Sequence, residues 1–332
     1  MPSLLLPWYA ANKRDLPWRH TRDAYRIYVS EIMLQQTRVG AVIGYYNRFL
    51  QQFPTVQHLA ETDDDTLLKM WEGLGYYSRA RNLKKAAQTV CKEHNGVFPT
   101  DYNALRTLSG AGAYTAGAVA SIAGEQRVAA VDGNVLRILA RVLAYPHPAD
   151  EIYKNVLTDF LTNAYPMHGC GDFTQSFMDL GSAVCLPAQP LCNDCPLHRV
   201  CEGHARNLQN ELPVRPQKAA RKEEQRTVFV LRRADAIGVR KRPATGILAN
   251  LWELPNVLGR LSEQEAVQQI ETLGGRIEGA FTVRRCKHVF THVTWHMTVY
   301  DVCVQGDCPD LLFTDPRDPH GKALPTAFRI CL

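Results

Sequence analysis

Apolar residues recur with two different periods along the chain, and the period changes near residue 206. Up to about residue 205 the apolar residues recur every three or four positions, which is typical of helices with one buried face. Short breaks rich in Gly, Pro and Asp separate the helical segments. The segments predicted as helices are residues 24–53, 62–74, 80–94, 101–108, 113–123 and 135–143. Residues 1–205 are therefore predicted to form an all-α domain.

The second part of the chain has a different pattern. Residues 206–226 are polar, charged and contain proline, which is the composition of a linker. Strands are predicted at 227–233, 236–242, 251–255 and 289–304, where apolar residues come in short runs or at every second position, and a helix is predicted at 262–275. Residues 227–332 are therefore predicted to form a separate α+β domain.

Length and composition support two folded domains. The chain has 332 residues, of which 45% are hydrophobic, so extensive disorder is excluded. No apolar run approaches the ~18 to 20 residues that span a bilayer, and the N-terminus lacks the basic region of an export signal. We expect a soluble, cytoplasmic protein. The net charge of +5 permits a polyanionic partner but is too small and too dispersed to indicate one.

Four of the ten cysteines are clustered in the loop 185–201. Cys185, Cys192, Cys195 and Cys201 follow the spacing C-x6-C-x2-C-x5-C. Because no export signal is expected, such a cluster points to a bound metal and not to disulfides. Four thiolates at this spacing suit either Zn²⁺ or a [4Fe-4S] cluster.

A Gly-x-Gly turn connects two predicted helices. One helix ends near Leu108, Gly110 and Gly112 form the turn, and the next helix begins near Ala113. Such a turn exposes backbone N–H groups that can bind a phosphate oxygen. An ordinary connection between helices explains the turn equally well on its own. A carboxylate, Asp132, stands about twenty residues later, just before another helix.

The order of these motifs resembles a known family. SEIMLQQT, GLGYYSRARNL, the Gly-x-Gly hairpin, VDGNV and the four-cysteine loop are similar to the helix-hairpin-helix DNA glycosylases of the endonuclease III superfamily, most closely to adenine DNA glycosylases of the MutY type. The hairpin departs from the family, because Ser109 and Ala111 replace its usual proline and valine. The resemblance implies a [4Fe-4S] cluster and a monomer associated with the bacterial nucleoid, which removes adenine mispaired with 8-oxoguanine or guanine in duplex DNA.

Two carboxylates have the properties that this reaction needs. Adenine leaves readily only when it is protonated, and the sugar becomes positively charged as the bond breaks. Glu31 lies in an apolar helical segment, where desolvation raises its pKa and keeps it protonated. Asp132 precedes a helix, whose N–H groups favour the ionised form. By resemblance, Glu31 is the acid that protonates adenine and later activates water, and Asp132 stabilises the sugar.

Other site residues follow from the resemblance. Tyr114 stands where bifunctional relatives have a Schiff-base lysine, so the enzyme is expected to be monofunctional. Tyr114 and Asn134 are expected to hydrogen-bond around Asp132 and the sugar. Leu34 and Gln36 resemble the wedge that opens the duplex, and Tyr76 resembles the intercalating aromatic residue. The positions that resemble lesion contacts are Thr37 and Leu74, and those that resemble the adenine pocket are Arg14, Trp18, Arg19 and Gln175.

The second domain resembles the Nudix fold without its catalytic carboxylates. Where a Nudix hydrolase has R-E-U-x-E-E-x-G to hold Mg²⁺, residues 267–274 read VQQIETLG. Pyrophosphate hydrolysis is therefore disfavoured, and the domain is expected to recognise 8-oxoguanine. The family's Phe-Ser-His loop corresponds to residues 290–292, with Thr291 in place of serine.

The sequence leaves two alternative functions open. The first is a glycosylase for another mismatch, such as thymine opposite guanine, since that branch also lacks the lysine. Glu31 and the presence of the second domain argue against it. The second is a non-catalytic iron–sulfur protein that binds DNA or transfers electrons, in which both carboxylates are incidental.

Overall fold

The structure is a computed structural model, and it describes residues 1–147, 151–214, 221–318 and 321–332. The chain divides into two compact units. The first unit comprises Met1–Glu61 and Arg81–Gln217, and the second comprises Thr62–Ala80 and Lys218–Leu332. Residues 215–220 of the predicted linker lie outside the described residues. No helix in the described ranges has both the length and the apolar character needed to cross a membrane.

The N-terminal part of the chain is helical, as the sequence predicts. Its α-helices are α1 (Pro2–Asn12), α2 (Ala24–Leu34), α3 (Val39–Gln52), α4 (Val56–Glu61), α5 (Asp64–Met70), α6 (Ser78–Glu93), α7 (Tyr102–Thr107), α8 (Ala113–Gly124), α9 (Gly133–Val142), α10 (Glu151–Asn163), α11 (Cys170–Ala183) and α12 (Glu202–Ala205). Short 3₁₀ turns lie at Pro17–Arg19, Cys192–Asp194 and His198–Val200.

Helix α8 forms the centre of the first unit. Residues Thr115–Ile122 are all buried, and α2, α7 and α11 pack around the helix. Small side chains permit this close packing. A Cβ atom added at Gly117 would lie 2.6 Å from the carbonyl oxygen of Ala129. The apolar character of α8 on all sides therefore reflects complete burial.

The prediction of one helical segment over residues 24–53 is wrong in its middle. The segment forms two helices, α2 and α3, with a break between Leu34 and Val39. Gln36 in this break has a positive φ of 55°, a left-handed conformation that continues neither helix. The apolar spacing on either side of the break is helical, and hydrophobic periodicity alone therefore does not reveal it.

The second unit is built on a mixed β-sheet with strand order β3-β2-β1-β6-β5. The strands are β1 (Lys222–Arg233), β2 (Ala236–Lys241), β3 (Trp252–Glu253), β4 (Asn256–Leu258), β5 (Arg276–Val289), β6 (Val293–Gln305) and β7 (Leu312–Thr314). The central strands β1 and β6 are parallel and run in register from Lys222 opposite Val293 to Arg232 opposite Cys303. Strands β4 and β7 pair with β1 and β2.

Helices α13 (Glu263–Thr272) and α14 (Thr326–Arg329) contribute to separate cores of the second unit. One core contains Phe229, Ile270 and Tyr300, and the other contains Trp295 and Phe328. This arrangement confirms the predicted succession of an all-α part and an α+β part. Strand β1 begins at Lys222, inside the segment predicted as linker, and strand β5 was not predicted.

The segment Thr62–Ala80 belongs to the second compact unit. The helix predicted over 62–74 is shorter in the structure, Asp64–Met70, and residues 71–77 form a turn before α6 begins at Ser78. The Asp65 carboxylate pairs with the Lys322 ammonium group at 2.6 Å, and a Glu72 carboxylate oxygen accepts a hydrogen bond of 2.8 Å from the Leu324 backbone N–H. Arg329 also pairs with Glu72, at 3.3 Å. Helical periodicity shows that a segment has a buried face, and it does not show which core buries that face.

Candidate active site

A cavity of about 180 Å³ opens into the first unit, and it brings together most of the predicted site. The predicted residues that line it are Arg14, Trp18, Arg19, Glu31, Leu34, Thr37, Tyr114, Asp132, Asn134 and Gln175. They come from α2, the α2–α3 break, α8, the start of α9, α11 and the segment that follows α1. Both candidate catalytic carboxylates therefore face one enclosed space.

Glu31 is buried in the last turns of α2, with 3% of its surface exposed. Burial raises the pKa of this carboxyl to about 7, against the opposing effect of a hydrogen bond with Tyr114. The negative charge of Asp132 raises the pKa further, and the positive charge of Arg19 lowers it. Its Oε2 atom is buried without a hydrogen-bond partner among the described residues. Glu31 is thus a carboxylic acid that holds its proton near neutral pH and has one oxygen available to a ligand.

Asp132 is held as the N-cap of α9. Its Oδ1 atom accepts hydrogen bonds from the backbone N–H groups of Asn134 at 2.9 Å and Val135 at 2.8 Å. The Asn134 side-chain amide donates to the other oxygen at 2.9 Å. These three donors hold the carboxylate at a fixed position on the cavity wall.

Tyr114 is the second residue of α8 and lines the cavity. Burial, followed by the negative charges of Glu31 and Asp132, raises the pKa of this phenol well above its ordinary value. The hydroxyl therefore remains protonated and hydrogen-bonds the Glu31 carboxyl. A neutral phenol at this position carries no amine nitrogen.

Two residues that sequence reasoning missed hold the pocket side chains in place. Asp179, 1% exposed, forms ion pairs with the guanidinium groups of both Arg14 and Arg19; its Oδ1 lies 2.6 Å from Arg14 Nε and 2.8 Å from Arg19 Nη2. The Tyr9 hydroxyl donates a hydrogen bond of 2.9 Å to Gln175 Oε1. A signal was present in the sequence, because Asp179 is a carboxylate inside the apolar helix FTQSFMDLG, four residues after Gln175.

The Gly-x-Gly turn has the predicted form. Helix α7 ends at Thr107 and α8 begins at Ala113, with Gly112 as its N-cap. Gly110 has a positive φ of 85°, which only glycine adopts without strain, and a Cβ atom there would lie 3.0 Å from the Asn82 Cβ. A Cβ atom at Gly112 would meet nothing within 4 Å, so the space beside this residue is open among the described residues.

The four cysteines of the loop 185–201 line a second cavity, also in the first unit. Burial raises the pKa of Cys195 to about 11, so the thiolate form requires a nearby positive charge. Arg141, 2% exposed, supplies one such charge, with Nη1 at 3.2 Å from the Cys185 sulphur and 2.7 Å from the Leu186 carbonyl oxygen. Within the described ranges, no group of three or more His, Cys, Asp or Glu side chains is close enough to form a metal site as it stands.

A chain of hydrogen bonds runs from Asp132 to the cysteine loop. Asn134 donates to Asp132, and Asn134 Oδ1 accepts a hydrogen bond of 3.0 Å from Arg137 Nη1. Arg137 Nε donates to the Cys185 carbonyl oxygen at 3.0 Å. The loop that holds the cysteines therefore also supports one wall of the candidate active site.

The remaining predicted contacts do not line the active-site cavity. Gln36 is exposed in the α2–α3 break of the first unit, whereas Leu74, Tyr76 and Thr291 belong to the second unit. Within that unit the Tyr76 hydroxyl lies 3.2 Å from Thr291 Oγ1, although the two residues are 215 positions apart. Tyr76 is 47% exposed and has a positive φ of 48°.

Arg79 supports the turn that carries Tyr76. Its Nη2 atom donates to the carbonyl oxygens of Leu74 at 3.1 Å and Gly75 at 3.2 Å, and its guanidinium group lies 5.5 Å from the centre of the Tyr76 ring. Leu74 is 7% exposed and packs as a core residue. An exposed aromatic ring on a strained, well-supported turn is typical of a binding residue.

Comparison with known proteins agrees with this geometry. Residues 29–161 match the model of the HhH-GPD superfamily base excision DNA repair proteins, and residues 227–332 match that of the NUDIX domain. The adenine DNA glycosylases of Rattus norvegicus and Homo sapiens are 35% and 34% identical to the chain; each alignment covers 92% of this chain, and 70% and 67% of the relatives. This chain belongs to the adenine DNA glycosylase family.

One further relative and two solved structures are also similar to this member of the adenine DNA glycosylase family. The adenine DNA glycosylase of Buchnera aphidicola subsp. Schizaphis graminum is 31% identical, over 89% of this chain and 85% of the relative. Among solved structures, a thermostable thymine-DNA glycosylase is 29% identical with a TM-score of 0.56, covering 61% of this chain and 94% of the other. Endonuclease III trapped on DNA is 21% identical with a TM-score of 0.53, covers 62% of this chain and 94% of the other, and shows the fold alone.

Proposed function

We propose that this enzyme removes adenine paired with 8-oxoguanine or guanine in duplex DNA, and leaves an abasic site. The observation that carries the proposal is the pairing of a protonated Glu31 with an ionised, capped Asp132 on one cavity. A base must leave the helix to reach an enclosed cavity, so the target adenine is flipped out of the duplex. The enzyme binds DNA as a monomer.

The residues that line the cavity have distinct roles in this reaction. Glu31 gives its proton to adenine N7 as the N-glycosidic bond breaks, because neutral adenine is a poor leaving group. Asp132 stabilises the positive charge that develops on the sugar. Afterwards the ionised Glu31 activates the water that attacks the sugar. Arg14, Arg19 and Gln175 fix the base, since Asp179 and Tyr9 hold them in place.

The enzyme is expected to act as a monofunctional glycosylase. Strand cleavage by endonuclease III-like enzymes requires a lysine amine that forms an imine with the sugar, and Tyr114 cannot form one. A DNA strand treated with the enzyme should therefore break only after added alkali, and borohydride should trap no covalent complex. Efficient trapping with borohydride would show that another amine attacks the sugar, and the assignment of Tyr114 would be wrong.

We propose a [4Fe-4S] cluster on Cys185, Cys192, Cys195 and Cys201. The donor set fits, because four partly buried thiols line one cavity, and burial raises the pKa of Cys192, Cys195 and Cys201, so that their thiolate forms need a positive partner. When bound, a cluster would cross-link this loop through four metal–sulphur bonds and need carry out no redox step. Arg141 and Arg137 hold the loop against α9 by hydrogen bonds to Cys185 and its neighbours.

Protein purified without oxygen should be brown and contain about four iron atoms per chain, as expected for this cluster. Iron and zinc are measured by elemental analysis on the same sample, and the visible absorbance is recorded. One zinc per chain without iron would contradict the cluster and favour a tetrahedral zinc site.

We propose that Thr291 and Tyr76 together read 8-oxoguanine, because their hydroxyl groups lie 3.2 Å apart on an exposed surface of the second unit. Thr291→Ala should lower the preference for A·8-oxoguanine over A·G by ~1 to 3 kcal/mol, the effect of losing a hydrogen bond in a buried interface. The measurement is the ratio of the two single-turnover excision rates. Thr282→Ala, at an exposed position of β5, serves as the control. An unchanged ratio in Thr291→Ala would mean that other residues read the lesion.

A further inference from the structure

Two cysteines outside the four-cysteine loop lie in contact within the second unit. The sulphur atoms of Cys286 and Cys331 are 3.1 Å apart, although the residues are 45 positions apart in the chain. A disulfide bond is ~2.05 Å long, so the two sulphur atoms need to approach by only about 1 Å to form one. Such proximity between distant cysteines is unexpected for two residues that only fill a core.

The two thiols differ in exposure. Cys286 lies on β5 between Arg285 and Lys287, is partly exposed, and borders an open cavity of about 410 Å³. Cys331 is completely buried after α14, in the core that contains Phe328. A small solute therefore reaches Cys286 more readily than Cys331.

The surroundings also differ in charge. The hydrogen bond from Cys331, together with the positive charge of Arg284, lowers the pKa of Cys286. The same hydrogen bond and burial raise the pKa of Cys331. The thiolate is the reactive form of cysteine, so Cys286 is the nucleophile and Cys331 keeps its proton.

We propose that Cys286 and Cys331 form a redox-active pair, which peroxides oxidise to an intramolecular disulfide. The Cys286 thiolate attacks a peroxide oxygen: the O–O bond breaks, a sulfenic acid forms on Cys286, and the other oxygen leaves as water after taking a proton. The Cys331 sulphur then attacks the Cys286 sulphur: the S–O bond breaks and the hydroxide takes the Cys331 proton. Two thiols and one hydrogen peroxide thus give one disulfide and two waters.

The bond would join two parts of the second unit that now touch without a covalent link. It connects the last residues of the chain to β5, the strand that leads into Phe290 and Thr291. Closing a loop of this length restricts the unfolded chain, so oxidation is expected to raise the temperature at which the second unit unfolds.

The test uses the full-length protein, reduced, treated with increasing hydrogen peroxide and then alkylated with N-ethylmaleimide. Chymotrypsin is expected to release residues 282–290 and 329–332, each with one of the two cysteines. We expect alkylation of both peptides to disappear together, and one cross-linked peptide to appear that is two hydrogens lighter than their sum. The unfolding temperature of the oxidised protein should rise, and a reductant should reverse the shift.

Three variants separate this pair from general oxidation. In Cys331→Ser, Cys286 should accumulate as sulfenic acid and react with dimedone, while in Cys286→Ser the buried Cys331 should remain reduced. Cys303 on β6 is exposed and has no other sulphur within hydrogen-bonding distance among the described residues, so Cys303→Ser should behave as the unsubstituted protein. Cys286 that is oxidised without loss of Cys331, or that reacts no faster than Cys303, would overturn the proposal. None of these readouts depends on glycosylase activity.

Discussion

Replacing Glu31 by glutamine should abolish base excision while duplex binding persists. The amide has nearly the shape of the acid but carries no proton that it can give to adenine. General acid catalysis contributes ~10²- to 10⁴-fold, so single-turnover excision should fall by at least that factor. The Gly-x-Gly turn, which is predicted to bind phosphate, does not line the cavity, so the dissociation constant for the duplex should change little.

The same residue should set the pH dependence of excision by the unsubstituted enzyme. Because burial raises the pKa of Glu31 to about 7, the carboxyl is protonated below that pH and ionised above it. Excision that requires the acid form should therefore decline as the pH rises through about 7. A rate that rises over this range would contradict the role of Glu31 as acid.

Glu125→Gln is the control for Glu31→Gln. Glu125 is a carboxylate of the same unit, paired with Arg22 at its surface and absent from the cavity wall. Its substitution should leave excision close to that of the unsubstituted enzyme. Near-normal excision by Glu31→Gln would refute the proposed acid.

Replacing Asp132 by asparagine should slow excision by about 10²- to 10³-fold, the usual effect of removing one electrostatic contact to a transition state. The substitution removes the negative charge beside the sugar. Asparagine is as good an N-cap as aspartate, and so α9 should keep its start. The NH2 group of the new amide is a donor, as is the Asn134 side-chain amide that now bonds the Asp132 carboxylate. This contact must therefore rearrange locally, and part of the fall in rate comes from that rearrangement.

Asp101→Asn provides a matched control for Asp132→Asn. Asp101 caps α7 in the same manner, accepting a hydrogen bond of 2.9 Å from the Ala104 N–H, and does not line the cavity. Thermal unfolding should show that both variants are folded. Equal excision by the two variants would mean that Asp132 is only a cap.

The parts of the site that the sequence predicted are those that depend on local spacing. The glycines of the hairpin, the cap at Asp132 and the apolar surroundings of Glu31 each follow from a few neighbouring residues. The resemblance to the glycosylase family identified or supported ten site residues, and the fold brings these ten to one cavity. Their proximity itself could not be derived from local pattern, because Arg14, Glu31, Asp132 and Gln175 lie on separate helices or loops.

What the sequence did not predict depends on long-range packing. Every residue of strand β5 is exposed or partly exposed, and its second half is rich in Arg, Lys and His, so the sequence shows no run of apolar positions there, and its pairing with β6 defines it. Thr62–Ala80 looks like its helical neighbours, yet Asp65 and Glu72 pair with residues beyond 320. For this reason a truncation near Gln217, which itself lies outside the described residues, would remove the partners of that segment, and Thr291→Ala is the cleaner test of lesion reading.

Asp179 and Tyr9 show the same limit within the active site. A carboxylate in an apolar helix signals a buried ion pair, but its partners Arg14 and Arg19 stand 165 and 160 positions away. The positions of such partners follow from the packing of α1 against α11. Residues that position the pocket are thus harder to predict than residues that match a motif.

The enzyme is proposed to release adenine from its mispairs. The most direct measurement is single-turnover release of free base from matched duplexes that carry A·8-oxoguanine, A·G or T·G at one position. Adenine should be released fastest opposite 8-oxoguanine and more slowly opposite guanine, and thymine should remain in place. Release of thymine from T·G with adenine left intact would contradict the proposed adenine glycosylase activity, and so would the absence of base release from all three duplexes.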